Sequence, residues 1–193
     1  MRVTGGAWAS RRIAGPPKGA PLRPTPDALR EQAFAVLGPR LAGAAFLDLF
    51  AGTGVNSLEA LSRGATSAVL VERAPAAAAL IHRNFAALAV PEGAWELVAR
   101  DALQALAALA RRGLRFDLAW CDPPFAAWEE GLAAVANARA AGVLAAGAAV
   151  VLEAPPKAEP AIPGFAVARA LRGAFLLEVT PSGYQVSQTI HLW

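Results

Sequence analysis

The chain has 193 residues, 55% of them apolar, and a formal net charge of +3, which suits one α/β domain able to bury well over half of its unfolded surface. A single cysteine, Cys121, excludes an internal disulfide framework, and with only His82 and His191 the spacing holds neither a metal cluster nor a Ser/His/Asp triad. The longest nearly uncharged run, 140–152, is too short for a membrane span of about 20 residues, and residues 1–12 lack the apolar core of a secretory signal, so a cytoplasmic protein is expected.

In chain order, residues 1–22 read as a small extended or hairpin appendage punctuated by Gly5-Gly6 and Gly15-Pro16-Pro17. Charge concentrates there: residues 1–40 hold seven basic and two acidic residues, a net +5, which leaves −2 for residues 41–193. Arg2, Arg11, Arg12, Lys18 and Arg23 are therefore candidates to grip a nucleic-acid backbone, although composition alone fits a solvated leader equally well. The spacing predicts a helix over Asp27–Leu37, started after Pro24 and Pro26 and stopped by Gly38-Pro39. Residues 1–40 thus form a basic arm and helix, and residues 41–193 the main domain.

From Ala44 onward, strand-like runs at 44–50, 67–72, 95–99, 115–121 and 147–153 alternate with helical patterns near 55–63, 75–88, 101–112 and 127–141. Such alternation predicts parallel βαβ units, whose right-handed crossovers bring the carboxyl ends of the strands to one edge. Beyond Pro155-Pro156, runs at 165–180 and 184–192 with a turn at Pro181-Ser182-Gly183 suit a terminal antiparallel hairpin.

Four motifs fall at that carboxyl edge. The strand Phe46–Phe50 enters the turn Ala51-Gly52-Thr53-Gly54, where a dinucleotide fold would read G-x-G-x-x-G; the third glycine position is Ser57. Asp48, inside the strand, would repel a phosphate and could hold a cationic amino group, so the expected cofactor is a sulfonium amino acid. Glu72 closes the next strand about 20 residues past the glycines, where doubly wound folds bind ribose hydroxyls. Asp101 opens a helix and can either cap it or accept from an adenine amino group. Cys121-Asp122-Pro123-Pro124-Phe125 then sets one carboxylate and one aromatic ring on a rigid bend. The prolines lack N–H groups, their carbonyls are free to accept, and Phe125 offers a face for an unstacked base.

Taken together these motifs resemble those of the bacterial small-subunit ribosomal RNA guanine-N2 methyltransferases of the RsmD type. The resemblance rests on Met1–Gly6 with Trp8 and Arg11, Leu22–Asp27 with Arg30-Glu31, Asp48–Gly54 continuing through Glu59–Ala65, and Asp122–Phe125. It implies a class I, Rossmann-like, seven-stranded and mostly parallel sheet with a terminal antiparallel hairpin. It further implies S-adenosylmethionine as donor and one guanine of small-subunit RNA as acceptor, within an assembling 30S particle and with the enzyme as a monomer. On the same ground Asp48, Ala51, Gly52, Thr53, Gly54, Glu72 and Asp101 bind cofactor, the segment of Thr25 and Arg30 folds over its pocket, and Asp122, Pro123, Pro124 and Phe125 hold the base. Ser10 stands where that family usually has glycine, and Arg73 where an acid is common. An adenine-N6 DNA methyltransferase, which uses a similar bend, and a non-catalytic RNA-binding assembly factor are the alternatives.

Overall fold

A computed structural model describes residues 1–16 and 25–181. Lys18, Arg23 and the run 184–192 lie outside the described residues. Strands β1 (Ala45–Leu49), β2 (Ser67–Val71), β3 (Trp95–Val98), β4 (Phe116–Cys121), β5 (Leu144–Glu153), β6 (Phe165–Leu171) and β7 (Ala174–Val179) form one sheet in the order β3-β2-β1-β4-β5-β7-β6. β1 to β5 pair in parallel and β7 runs antiparallel between β5 and β6. Helices α1 (Asp27–Leu37), α2 (Val55–Ser62), α3 (Pro75–Ala87), α4 (Ala102–Arg111) and α5 (Trp128–Ala140) connect or flank them. Among the described residues no helix is long and apolar enough to cross a membrane.

Two departures from the sequence pattern have local causes. The run 165–180 is not one strand but the β6–β7 hairpin, reversed at Arg172-Gly173 with Gly173 at φ +97°. Strand β5 begins at Leu144 rather than 147, because a bulge around Gly147 (φ +73°) interrupts its pairing with β4 between Phe116 and Leu118.

Side chains alternate between the two faces of a strand, and here each face has its own core. Phe46, Leu70, Leu118, Trp120, Ala149 and Val151 pack toward α1, α2 and α3. Leu47, Leu49, Val69, Ala119, Cys121, Val150 and Leu152 pack toward α4 and α5. Phe34 of α1 stacks on Trp120 at 5.3 Å between ring centroids, which seats α1 over the carboxyl half of β4.

The N-terminal arm is a hairpin, with an antiparallel bridge between Arg2 and Arg12, and it is fastened to this first face. Val3 and Ile13 are buried in the same core as Phe34. Glu59 of α2 accepts from the Thr4 amide and hydroxyl, both at 2.7 Å, and Ser62 bonds Gly5 and Trp8. Asn84 of α3 joins Ala14 to the carbonyl of Thr53 in the glycine turn. Ser10 adopts φ +66° at the tip of the hairpin, the left-handed conformation that explains why glycine would be preferred there.

Candidate functional site

Period-two alternation decides which acids meet. Asp48 on β1 shares parity with Phe46, Glu72 with Leu70, Asp122 with Trp120, and Glu153 with Val151, so all four carboxylates emerge on the α1–α3 side at the carboxyl ends of β2, β1, β4 and β5. The pairings Leu49↔Cys121 and Cys121↔Leu152 place the next residues, Asp122 and Glu153, side by side.

The glycine turn is built for close approach. Phe50 leaves β1 at φ +61°, a conformation that costs a non-glycine residue on the order of 1 kcal/mol. Gly54 follows at φ +74°, where a Cβ would press on Phe85 at 2.9 Å and on Leu70 at 3.2 Å. Glu72 folds back over the turn, accepting from the Gly52 amide at 2.9 Å and the Ala74 amide at 2.7 Å, and so fixes the turn against β2.

Asp48 is fully buried, and its Oδ2 accepts from both the amide (3.1 Å) and the hydroxyl (2.7 Å) of Ser57 in the first turn of α2. Its Oδ1 has no partner among the described residues. Burial pushes the carboxyl up to about 7, with Glu153 and Glu72 adding to the rise and the Ser57 bonds opposing it. A serine at the third glycine position therefore serves as the anchor of Asp48, a role the motif comparison did not suggest.

Asp122 and Glu153 form the other half of the site. The Thr25 hydroxyl lies 2.6 Å from Glu153 Oε1 and 3.2 Å from Asp122 Oδ2, and the Trp120 indole N–H donates to the same Glu153 oxygen at 3.0 Å. Burial and the neighbouring Glu153 charge raise Asp122 well above the carboxylate range, and burial also raises Glu153. Arg30, wholly buried, donates to the carbonyls of Thr25 and Arg2 and to Asp27. Thr25 is thereby locked above the two acids, and the Arg30 charge favours ionised Glu153.

The bend itself is braced from α5. Gly131 approaches so closely that a Cβ there would collide with the Pro123 ring, and its carbonyl faces the Cys121 thiol. Burial raises that thiol well above its usual range, so it stays protonated. Phe125, which follows the two prolines, is a large apolar side chain 48% exposed.

Asp101 uses Oδ1 to cap α4 through the Leu103 amide at 3.0 Å, while Oδ2 lies 3.6 Å from Arg73. Arg73 also reaches Glu130 at 3.7 Å, and these residues with Phe50 and Leu103 line a cavity of about 410 Å³ at the same edge. Arg2 pairs with Asp27 and Glu31, whereas Arg11 and Arg12 are exposed. Glu153 belongs to none of the sequence motifs, although it ends an apolar strand just as Glu72 does.

This strand order, with one antiparallel strand next to the edge and acids at the carboxyl ends of β1, β2 and β4, defines a class I methyltransferase fold. A profile of the family described as "Conserved hypothetical protein 95" matches residues 1–172, and the chain belongs to that family, the RsmD type. "Ribosomal RNA small subunit methyltransferase D" of Escherichia coli (strain K12) is 38% identical over 125 residues, 65% of this chain and 60% of that protein's length. Two solved structures are each 31% identical. "Putative methyltransferase yhhF" of Escherichia coli has a TM-score of 0.79 and covers 93% of this chain and 98% of its own. The hypothetical protein TTHA0928 of Thermus thermophilus has a TM-score of 0.76 and covers 94% and 99%.

Proposed function

We propose that the chain transfers a methyl group from S-adenosylmethionine to the exocyclic N2 amine of a guanine in small-subunit ribosomal RNA, acting as a monomer on an assembling 30S particle. The observation that carries this reading is the convergence of a buried carboxylate oxygen without a partner, Asp48 Oδ1, with the Asp122-Pro123-Pro124-Phe125 bend at one sheet edge. An orphaned anionic acceptor beside a close-approach glycine turn fits a ligand with an ammonium group and is a poor fit to a phosphate. Glu72 has lone pairs left for ribose hydroxyls, and the cavity lined by Phe50, Asp101 and Leu103 is an apolar-edged place for an adenine. The ribosomal substrate is supported by the relative in Escherichia coli, and its guanine by the likeness of the bend and the arm to those of the RsmD type.

When bound, S-adenosylmethionine supplies an electrophilic methyl on a positively charged sulfur. The protein's part is to hold the amine. A base amine conjugated with its ring is a weak nucleophile, so acceptors that strengthen as the nitrogen turns positive contribute most, and the Asp122 carboxyl and Pro123 carbonyl occupy that role. Phe125 holds the base face, and fixing nitrogen and methyl in line is an entropic contribution of roughly 7–11 kcal/mol in favourable systems.

The test is to incubate the protein with methyl-labelled donor and small-subunit particles from cells lacking the activity, then digest the RNA to nucleosides. Label in N2-methylguanosine supports the reading. Label in N6-methyladenosine, or none at all, contradicts it. On the RNA side, Arg11→Ala with Arg12→Ala is expected to weaken RNA binding and to lower the slope of log K against log salt by about one to two, at roughly 0.7–0.9 per lost phosphate contact. Donor affinity is expected to stay unchanged. An unaltered slope would assign both arginines to solvent. Point substitution is the apt design, because deleting the arm would also remove buried Val3 and Ile13.

A further inference from the structure

Glu153 is buried, yet it is tied to the less buried Asp122. Its carboxylate is held by the Trp120 indole and by the Thr25 hydroxyl, and that same hydroxyl contacts Asp122. A hydroxyl has one hydrogen, so it cannot donate to both carboxylates at once. Two anions flanking one hydroxyl in a buried site would leave one acceptor unpaired and both charges repelling. A second hydrogen, carried by one of the two acids, removes both costs, and the carboxyls also lie near enough to bond directly to each other once one is protonated.

We propose that Asp122 and Glu153 hold one proton between them, with Glu153 as the positioning partner of Asp122 and the place where the proton released by the methylated amine comes to rest. This rests on the function proposed above. The resting proton sits on Asp122, because Glu153 has the Trp120 and Thr25 hydrogen bonds and the Arg30 charge to favour its ionised form. As the N–CH3 bond forms, the S–CH3 bond breaks and its electron pair stays on sulfur. The nitrogen, now cationic, gives an N–H proton to the Asp122 oxygen turned away from Thr25, and the proton Asp122 already carried passes to Glu153. The positive charge that entered with the sulfonium and the negative charge on Glu153 are both gone at the end, so the buried site finishes neutral. Burial raises both acids above their ordinary values, consistent with a shared proton, and Asp48 adds to the rise at Asp122. The ionisable groups around the pair are Asp48 from β1, with Glu72 behind it, Cys121 from β4 and Arg30 from α1.

Trp120 provides a direct reporter, since its indole N–H donates to Glu153. In proton–nitrogen NMR of the cofactor-free, full-length protein, with the signal assigned by its loss in Trp120→Phe, the indole resonance is expected to titrate in two steps, the first as Glu153 ionises and the second, above the usual carboxylate range, as the proton held by Asp122 leaves. Asp122→Asn is expected to remove the second step, which belongs to the proton leaving Asp122 against the Glu153 charge, and Glu153→Gln to abolish the first. In the transfer assay, Glu153→Gln is expected to lower kcat about tenfold and move the acid limb of its pH profile downward while donor affinity holds. An indole signal flat from acid to alkaline pH, a second step that persists in Asp122→Asn, or an acid limb unmoved by Glu153→Gln would each overturn the proposal. If the wild-type protein shows the titration yet methylates no RNA, the shared proton stands and the function proposed above fails.

Discussion

Asp122→Ala is expected to lower methyl transfer by about 10²–10³-fold in kcat, the usual consequence of removing one aligned polar group from a charge-developing site. Donor affinity measured by calorimetry is expected to change by less than about threefold, since Asp48, Glu72 and the glycine turn are untouched and a group used only in the transition state leaves ground-state binding alone. The variant is also expected to fold. The Thr25 hydroxyl beside Asp122 keeps its shorter bond to Glu153, and removal of the Asp122 carboxyl takes one acid out of a buried site. Normal turnover in this variant would remove Asp122 from the chemistry.

Asp48→Asn is expected to separate binding from stability. An asparagine keeps an oxygen for the Ser57 amide and hydroxyl, but it replaces the orphaned anionic oxygen with a donor, and the lost charge-assisted bond is worth about 1.5–3 kcal/mol, or 10- to 100-fold in donor affinity. Stability moves the other way. The carboxyl titrates at about 7 in the folded chain against an ordinary value of 3.8. Below the unfolded value both states are protonated. As pH rises, the unfolded chain releases its proton first while the folded one retains it, so stability falls until the folded value is passed and stays lower above it. For the free protein the loss amounts to as much as about 4 kcal/mol, and Asp48→Asn, which cannot ionise, is expected to recover part of it. Thermal unfolding at pH 5 and pH 8 checks this: the wild-type protein is expected to lose more stability between the two than the variant. Equal donor affinity in calorimetry would contradict the role given to Asp48.

The opposite signs at Asp48 explain why the site holds such a group. A buried carboxylate with one unpaired oxygen is a cost to the free chain that only a cationic ligand can offset. The same logic extends along the edge, where the Glu153 charge raises both Asp48 and Asp122 and the Asp48 charge adds to the rise at Asp122.

How far the sequence carried this picture depends on the range of the interactions. The strands β1 to β4 and all five helices lie within a residue or so of the expected spans, because hydrophobic period and flanking glycine or proline are local signals. The β6–β7 turn was not legible, since Arg172-Gly173 lies within a mainly apolar run already broken by Arg169, and one glycine there reads equally as a bulge. At the site, the motifs at Asp48, Glu72 and Asp122 announced a shared edge through topology alone. The bond from Thr25 to Glu153 spans 128 residues and that to Asp122 spans 97, and no periodicity encodes such a meeting. Glu153 could have been found by the rule that found Glu72, an acid closing an apolar strand, together with the parity that puts it beside Asp122. Ser57 looked like a defect in a glycine pattern, and only its distance to Asp48 shows that it does a different job.

Among the described residues, a ligand of moderate size could lodge at the carboxyl edge described above or in a cavity of about 380 Å³ at the opposite edge, lined by Arg40, Gly43, Asp117 and Gly147 among others. Ultraviolet cross-linking of labelled S-adenosylmethionine followed by peptide mapping distinguishes them. Label in the peptides carrying residues 46–57, 72–73 and 101–125 is the expected result, and label confined to those around Arg40 and Gly147 would contradict the assignment of donor and acceptor to one crevice.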